Sequence, residues 1–161
     1  MLANDVVAEA AEIVIIGAGF AGAATAYHLA RRGVRDVVIL EAEPRAGVHA
    51  SGKNAALCFQ LIDDPDEARL AVEGTRAYAD PPEDVAPRPL LRRLGSLLLA
   101  SEGGRASLDA ALRDARTLGV AATIVSRGDA IRRVPILAPS PFVCALENAD
   151  DGVVDVAALL R

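Results

Sequence analysis

Three glycines near the start of the chain have the spacing of a phosphate-binding turn. Gly17, Gly19 and Gly22 follow a G-x-G-x-x-G pattern directly after the short apolar run Ile13–Ile16, and an alanine-rich stretch comes next. Glycines allow a tight turn and close approach of the backbone to a pyrophosphate, and the free N–H groups at a helix N-terminus attract its negative charge. The pattern therefore predicts a dinucleotide-binding turn between a strand and a helix.

An acidic residue completes this pattern. Glu41 ends a second apolar run, Val37–Leu40, and lies roughly 20 residues beyond Gly22, as dinucleotide sites require. We expect its carboxylate to accept hydrogen bonds from the hydroxyls of an adenosine ribose and to repel a 2′-phosphate, which disfavours NADP. The alternative is a glycine-rich turn of an ordinary α/β fold that binds no ligand.

The elements that position these residues follow from the hydrophobic pattern. Both apolar runs are short and β-branched, which predicts two parallel strands buried on both faces. The helix between them is expected to run to Arg32, with Gly33 ending it. Further predicted elements are a helix from Pro65 to about Ala79, strands from Leu91 and over 95–100, 122–125 and 142–147, a helix over 108–118, a short helix after Ser126, a turn over 150–152 and a helix capped by Asp155.

The segment from Ala42 to Leu57 is small, polar and interrupted by glycines. A simple NAD-binding domain would usually continue into another strand and helix. This composition instead predicts a loop laid against a ligand, because its small residues permit close backbone approach. An exposed loop without a ligand is the alternative.

Together these motifs resemble the FAD-dependent amine and amino-acid oxidoreductases, such as glycine oxidase, sarcosine oxidase and D-amino-acid dehydrogenase. The resemblance is carried by the glycine motif, the acid after the second strand and the run G-x-x-A-S-G-x-N-A-A-L from Gly47 to Leu57. It implies a Rossmann-like α/β fold that binds FAD and a loop that follows its pyrophosphate to the flavin ring. The expected cofactor contacts are Gly17, Ala18, Gly19, Phe20, Ala21, Gly22, Glu41, Ala42, Ser51, Gly52, Lys53, Asn54, Ala55 and Ala56.

Some relatives of this kind attach FAD covalently through a histidine of the loop. Aligning their Gly-Leu pair with Ala56-Leu57 puts that histidine on Lys53 and not on His49, so we expect non-covalent FAD. The family more often has arginine at Lys53 and glycine at Ala56. No catalytic acid or base is predicted; His28 is expected to be an exposed helix residue, and Cys58 and Cys144 match no metal-binding spacing.

The resemblance implies a chain organised as the N-terminal part of a longer enzyme, since family members are more than twice this length. The expected organisation is a lead-in over 1–12, an FAD-binding segment over 13–80, part of an α+β substrate domain over 81–148 and a return to the FAD domain over 149–161. A second chain that completes the fold is one expectation. The alternatives are a non-catalytic dinucleotide-binding subunit or inactive truncated product, and, less favoured, an NAD-dependent dehydrogenase.

Composition restricts the partners. The formal charge is −5, aromatic residues make up 3% of the 161 residues and there is no tryptophan, so the chain has neither the basic surface nor the stacking platforms of a nucleic-acid-binding protein. The N-terminus lacks the basic and apolar regions of a signal peptide, and no apolar run is long enough to span a membrane. We therefore expect a cytoplasmic protein whose partner is a small amine or amino acid.

Overall fold

The computed structural model describes residues 10–161, so residues 1–9 of the expected lead-in lie outside the described part. The chain divides into two compact units. The first extends to Asn54 and includes Leu160–Arg161, and the second comprises Ala55–Leu159. The functional boundaries expected from the resemblance remain predictions.

The first unit contains the expected strand, helix and strand. Strand β1 (Ile13–Ile16) and strand β2 (Val37–Leu40) pair in parallel, with Ile13 opposite Val37 and Ile16 opposite Leu40. Helix α1 (Phe20–Arg31) connects them. Gly33 follows it at φ +84°, a conformation that glycine adopts without steric cost, and donates its N–H to the Ala30 carbonyl. The predicted βαβ unit and its termination are confirmed.

Burial of the two strands differs from the prediction. Val14 is 51% exposed and Ile16 is 88% exposed, whereas Ile13 and Ile15 are half-buried. Successive side chains of a strand point to opposite faces, and the Ile15 side chain lies close to Gly22 of α1. The helix thus covers one face of β1. Within the described residues of the first unit, no helix covers the face that bears Val14 and Ile16.

The second unit contains two antiparallel sheets. In the order of the chain its strands are β3 (Leu57–Cys58), β4 (Leu91–Arg93), β5 (Ser96–Ala100), β6 (Ala122–Ser126), β7 (Cys144–Asn148) and β8 (Gly152–Val154). One sheet has the order β3-β8-β4 and the other has the order β5-β7-β6. The helices are α2 (Pro65–Ala79), α3 (Arg105–Leu118), α4 (Arg127–Arg133) and α5 (Val156–Leu159), with 3-10 turns at Glu102–Gly104 and Pro135–Leu137.

Capping residues explain where the helices of this unit begin and end. The Asp64 carboxylate accepts hydrogen bonds from the N–H groups of Asp66 and Glu67, which satisfies two donors at the start of α2. Gly119 ends α3 in the left-handed conformation at φ +69°. Both ends were predicted from the sequence.

Two short strands were not predicted. Strand β3 begins at the end of the segment expected to be a loop, and Gly152 belongs to β8 although a turn was predicted there. Gly152 pairs with both Cys58 and Arg93, and a Cβ at this position would lie 2.1 Å from the Arg92 carbonyl oxygen. This glycine is therefore explained by close packing between strands, and the turn lies at Ala149 and Asp150.

A buried polar cluster joins several strands of the second unit. Asp151 is 2% exposed, and one of its oxygens accepts from the Gln60 backbone N–H and from the side-chain amide of Asn148 at 2.7 Å. Its other oxygen accepts from the Ser96 hydroxyl at 2.6 Å. The cluster lies beside an apolar core that contains Leu108 and Leu146. Among the helices of residues 10–161, none is long and apolar enough to cross a bilayer.

Candidate functional site

The glycine-rich turn is built by direct contact between its first and third glycines. Gly17 adopts φ +94°, and its N–H donates to the Leu40 carbonyl at 2.7 Å, which ties the turn to the end of β2. A Cβ on Gly22 would lie 1.9 Å from the Gly17 carbonyl oxygen and 3.2 Å from Ile15 Cγ2. Glycine at position 22 is thus what lets α1 start directly against the turn and the strand.

The second glycine leaves room for a side chain from the loop that follows β2. Gly19 is the N-cap of α1 and offers no side-chain acceptor. The Ser51 Oγ takes that role, accepting the Phe20 N–H at 2.9 Å, and a Cβ on Gly19 would lie only 2.8 Å from this oxygen. Ser51 therefore caps a helix that begins 31 residues earlier. The sequence motif predicted Ser51 as a ligand contact, and no local pattern indicates that it caps α1.

The N-terminus of α1 remains suited to binding an anion. Within the described chain, no acceptor is placed for the N–H groups of Ala21 and Gly22, and the first turn carries no acidic residue. Unpaired N–H groups at this end combine with the positive end of the helix dipole. A diphosphate could accept from both N–H groups, and the Ser51 hydroxyl keeps its own proton to donate.

The Glu41 carboxylate is held at both oxygens by backbone donors. One oxygen accepts the Ala18 N–H at 2.8 Å, and the other accepts the Glu43 N–H at 2.9 Å. These two hydrogen bonds, that of Glu43 being the stronger influence, lower the pKa of Glu41 below its ordinary value of 4.5. The carboxylate therefore stays ionised near neutral pH, and each oxygen retains a lone pair for a further donor such as a ribose hydroxyl.

Several residues of the loop after β2 that were predicted to contact a ligand instead make contacts within the loop. A Cβ on Gly52 would lie 2.4 Å from the Gly47 carbonyl oxygen, and the Asn54 amide donates to the carbonyls of Ala50 and Ser51. The side chains of Ala42 and Lys53 are exposed beside it. The glycines and Asn54 thus shape this loop whether or not they also contact a ligand.

His49 also lies in this loop, but it is engaged with an acid. Its Nε2 lies 2.8 Å from Glu43 Oε1, and 72% of the His49 side chain is exposed. His28 is exposed on α1 and packs edge-on against Tyr27, as expected for a histidine outside the site.

The last two predicted cofactor contacts, Ala55 and Ala56, belong to the second unit. Ala56 has φ +58°, a left-handed conformation that costs a residue with a Cβ about 1–2 kcal/mol, and its carbonyl accepts the Val154 N–H. The backbone conformation accounts for the glycine that the resembled family more often has here.

The geometry of the first unit would suit a nucleotide diphosphate. Residues 12–161 match the family model described as DAO, FAD dependent oxidoreductase. The chain belongs to this family. The resemblance drawn from the motifs and the mixed α/β, Rossmann-like fold class are thereby confirmed.

Individual members of the family differ widely from this chain in sequence. It is 39% identical over 67 residues to the uncharacterized oxidoreductase YurR of Bacillus subtilis, which is 42% of this chain and 18% of that protein. L-proline dehydrogenase from P. horikoshii superposes with a TM-score of 0.77 at 24% identity, covering 94% of this chain and 40% of the other. Glycine oxidase from Geobacillus kaustophilus gives a TM-score of 0.71 at 25% identity, covering 93% and 43%. The chain thus spans less than half the length of each of these proteins.

The residues of the first unit fit the ADP end of FAD, the cofactor in the description of the family. The free N–H groups of Ala21 and Gly22 suit the pyrophosphate, and the doubly held Glu41 carboxylate suits a ribose diol. In residues 10–161, no three His, Cys, Asp or Glu side chains are grouped as they would be around a metal ion.

Proposed function

We propose that this chain holds the ADP end of non-covalently bound FAD in an enzyme that oxidises a C–N bond of an amine or amino acid. The observation that carries the proposal is the arrangement at the start of α1. The N–H groups of Ala21 and Gly22 are unpaired there, and the Glu41 carboxylate is fixed by two other backbone N–H groups. One part of this arrangement suits a pyrophosphate and the other suits the ribose attached to it.

Each residue has a distinct role in this proposal. The N–H groups of Ala21 and Gly22 donate to the pyrophosphate, and Ser51 donates its hydroxyl proton while its oxygen keeps α1 capped. Glu41 accepts from the ribose hydroxyls, and its charge rejects a ribose that carries a 2′-phosphate. Backbone groups of the loop over 52–54, with Ala55 and Ala56, are proposed to extend toward the flavin.

The chemistry is proposed from the family and its members. Bound FAD would supply a two-electron acceptor for the hydride that leaves the carbon bearing the amine, and water would hydrolyse the resulting imine. Glycine and L-proline, the compounds named for the two structurally similar enzymes, are both amino acids. We propose the same substrate class for the whole enzyme, and we assign no catalytic acid or base among the described residues.

Non-covalent binding is supported by the position of His49. The His49 Nε2 is paired with Glu43 at 2.8 Å, so this ring nitrogen is directed at the acid and not at a flavin. The pair of His49 and Glu43 is connected to the proposed ADP end of the site, because the backbone N–H of Glu43 donates to the Glu41 carboxylate.

We propose further that additional polypeptide, either a longer chain or a second one, covers the open face of β1. Ile16 and Val14 are exposed by 88% and 51% on a parallel sheet, a class of sheet that is normally covered on both faces. An apolar surface of this kind favours association. The chain alone is accordingly expected to lack amine-oxidising activity and to form oligomers in size-exclusion chromatography.

Cofactor binding is tested on the purified chain by its visible spectrum and by titration with FAD. A flavin band that co-purifies, or saturable binding of added FAD, supports the proposal; absorbance in the ultraviolet alone and no binding refute it and favour a module without a flavin. Glu41→Ala should weaken FAD binding by about 1.5–3 kcal/mol, the range for a hydrogen bond to a charged group. Glu73→Ala, at an exposed glutamate of α2, is the control and should leave affinity unchanged.

A further inference from the structure

A chain of contacts connects His49 to the glycine-rich turn. His49 Nε2 pairs with Glu43 Oε1 at 2.8 Å, and the backbone N–H of the same glutamate donates to Glu41 Oε1 at 2.9 Å. The second Glu41 oxygen accepts the Ala18 N–H of the turn at 2.8 Å. Glu43 is thus anchored through its side chain while its backbone orients the carboxylate of Glu41.

The backbone over 42–46 has few other contacts to fix it, whereas the buried Gly47 packs against Leu160 and Gly52. In the described part of the chain, no hydrogen bond between backbone groups involves residues 42–48, and those residues form bends and turns. The direction of the Glu43 N–H therefore depends on its side-chain anchor, Glu41 itself and the small loop residues. The second anchor of the loop is Ser51, two positions beyond His49, which is bonded to the Phe20 N–H.

Charge gives the pair a second effect. Glu41 and Glu43 are two acids at one tight bend, and a protonated His49 offsets the charge of Glu43. The positive charge of His49 also contributes, as a minor cause, to the lowered pKa of Glu41.

We propose that His49 is a positioning residue for the ADP end of the cofactor, acting through Glu43 on the Glu41 carboxylate. The inference rests on the proposed function, since it concerns the same site. Position 49 is a variable position of the sequence motif, and no contact between His49 and the cofactor is required. Because the pair is exposed, the effect of removing it is small: about two- to five-fold in affinity, as for exposed ion pairs in general.

The test uses ADP alone as the probe, with isothermal titration of the whole chain. His49→Ala and Glu43→Ala should each weaken ADP binding about two- to five-fold, and the double variant should be no weaker than either single one. His49→Gln should restore affinity, because its amide nitrogen can donate to Glu43 from the place of Nε2. His28→Ala, at the exposed histidine of α1, is the matched control and should bind like the wild type.

Amide resonances supply a readout that needs no ligand. His49→Ala should shift the Glu43 and Ala18 amide protons, and His49→Gln should return them toward the wild-type positions; far-UV circular dichroism checks that each variant is folded. A wild-type chain that binds neither ADP nor FAD overturns the proposed function and this inference with it. Wild-type binding with equal affinity in His49→Ala, or losses that add in the double variant, overturn the inference alone. Flavin that survives denaturation of the wild type and is lost from His49→Ala would make His49 an attachment site and would also overturn it.

Discussion

Replacing Gly22 with alanine should damage the first unit more than any ordinary helix substitution. A Cβ at this position would lie 1.9 Å from the Gly17 carbonyl oxygen, whereas ordinary contacts begin at 3.4 Å, so the helix and the turn must separate by about 1.5 Å. Both sides of this contact are backbone, and neither can rotate away. Overpacking costs about 1–3 kcal/mol, and alanine recovers about 1 kcal/mol of helix propensity, which leaves a net loss of up to about 2 kcal/mol.

Gly74 provides a control of the same chemistry. It lies within α2, and a Cβ added there would meet nothing within 4 Å. Gly74→Ala should therefore stabilise the second unit by about 1 kcal/mol, the propensity term alone. The two substitutions add the same methyl group to a helix, but with opposite expected signs.

Urea unfolding followed by NMR measures both effects, because Tyr27 reports on α1 and Tyr78 on α2. Gly22→Ala should lower the urea midpoint of the Tyr27 signals and weaken ADP binding more than ten-fold, since the displaced turn carries the Ala18 N–H that holds Glu41. A Gly22→Ala variant with the wild-type midpoint and affinity would refute the packing argument. If Gly74→Ala destabilised the second unit, this would refute the assumption that open space around the added methyl group determines the sign of the stability change.

Two further predictions concern the second unit. Asp151→Ala leaves the buried donors of Gln60 and Asn148 without their acceptor and should destabilise the unit by about 3 kcal/mol in urea unfolding. Asp150→Ala, at the half-buried neighbour that pairs with Arg93, should change stability by less than about 1 kcal/mol. The Ser126 hydroxyl, followed by the charge of Arg132, lowers the pKa of Asp129 below its ordinary value of 3.8. The stability that Asp129 contributes is thus present above pH 3.8 and is lost as the pH falls through the lowered pKa. Ser126→Ala should raise that pKa in an NMR titration; an unchanged value would contradict the hydrogen bond.

Local signals allowed most of the fold to be predicted from the sequence. The termination of α1 by Gly33, the start of α2 at Asp64 and the end of α3 at Gly119 depend on residues within a turn of each helix end. Contacts between distant residues left no such signal. Strand β8 was missed because Gly152 faces the backbone of Arg92, about 60 residues earlier, and a glycine in a sequence indicates a turn more often than a close strand contact.

The exposed face of β1 also depends on contacts between distant residues. The run from Ile13 to Ile16 is apolar at every position, which is typical of a strand covered on both faces. The apolar pattern belongs to the strand itself, whereas burial of the strand depends on other elements that pack against its two faces. Ile16 is 88% exposed because no helix in the described first unit packs on that face.

The candidate site separates the roles of the backbone donors around the turn, which the motif alone did not reveal. The Ala18 N–H donates to Glu41, and the Phe20 N–H donates to Ser51. The N–H groups of Ala21 and Gly22 have no acceptor in the described chain. If every donor were open, the turn would favour any anion, including a carboxylate of the chain itself. Glu41 is ionised and held in place near the free donors. A ligand with a charged pyrophosphate and a neutral ribose is therefore favoured, whereas a ligand whose ribose carries a 2′-phosphate is repelled by the Glu41 carboxylate. Under the proposed function, this arrangement would favour FAD over NADP. If His49 and Glu43 orient Glu41 as proposed, they would then affect cofactor specificity as well as affinity.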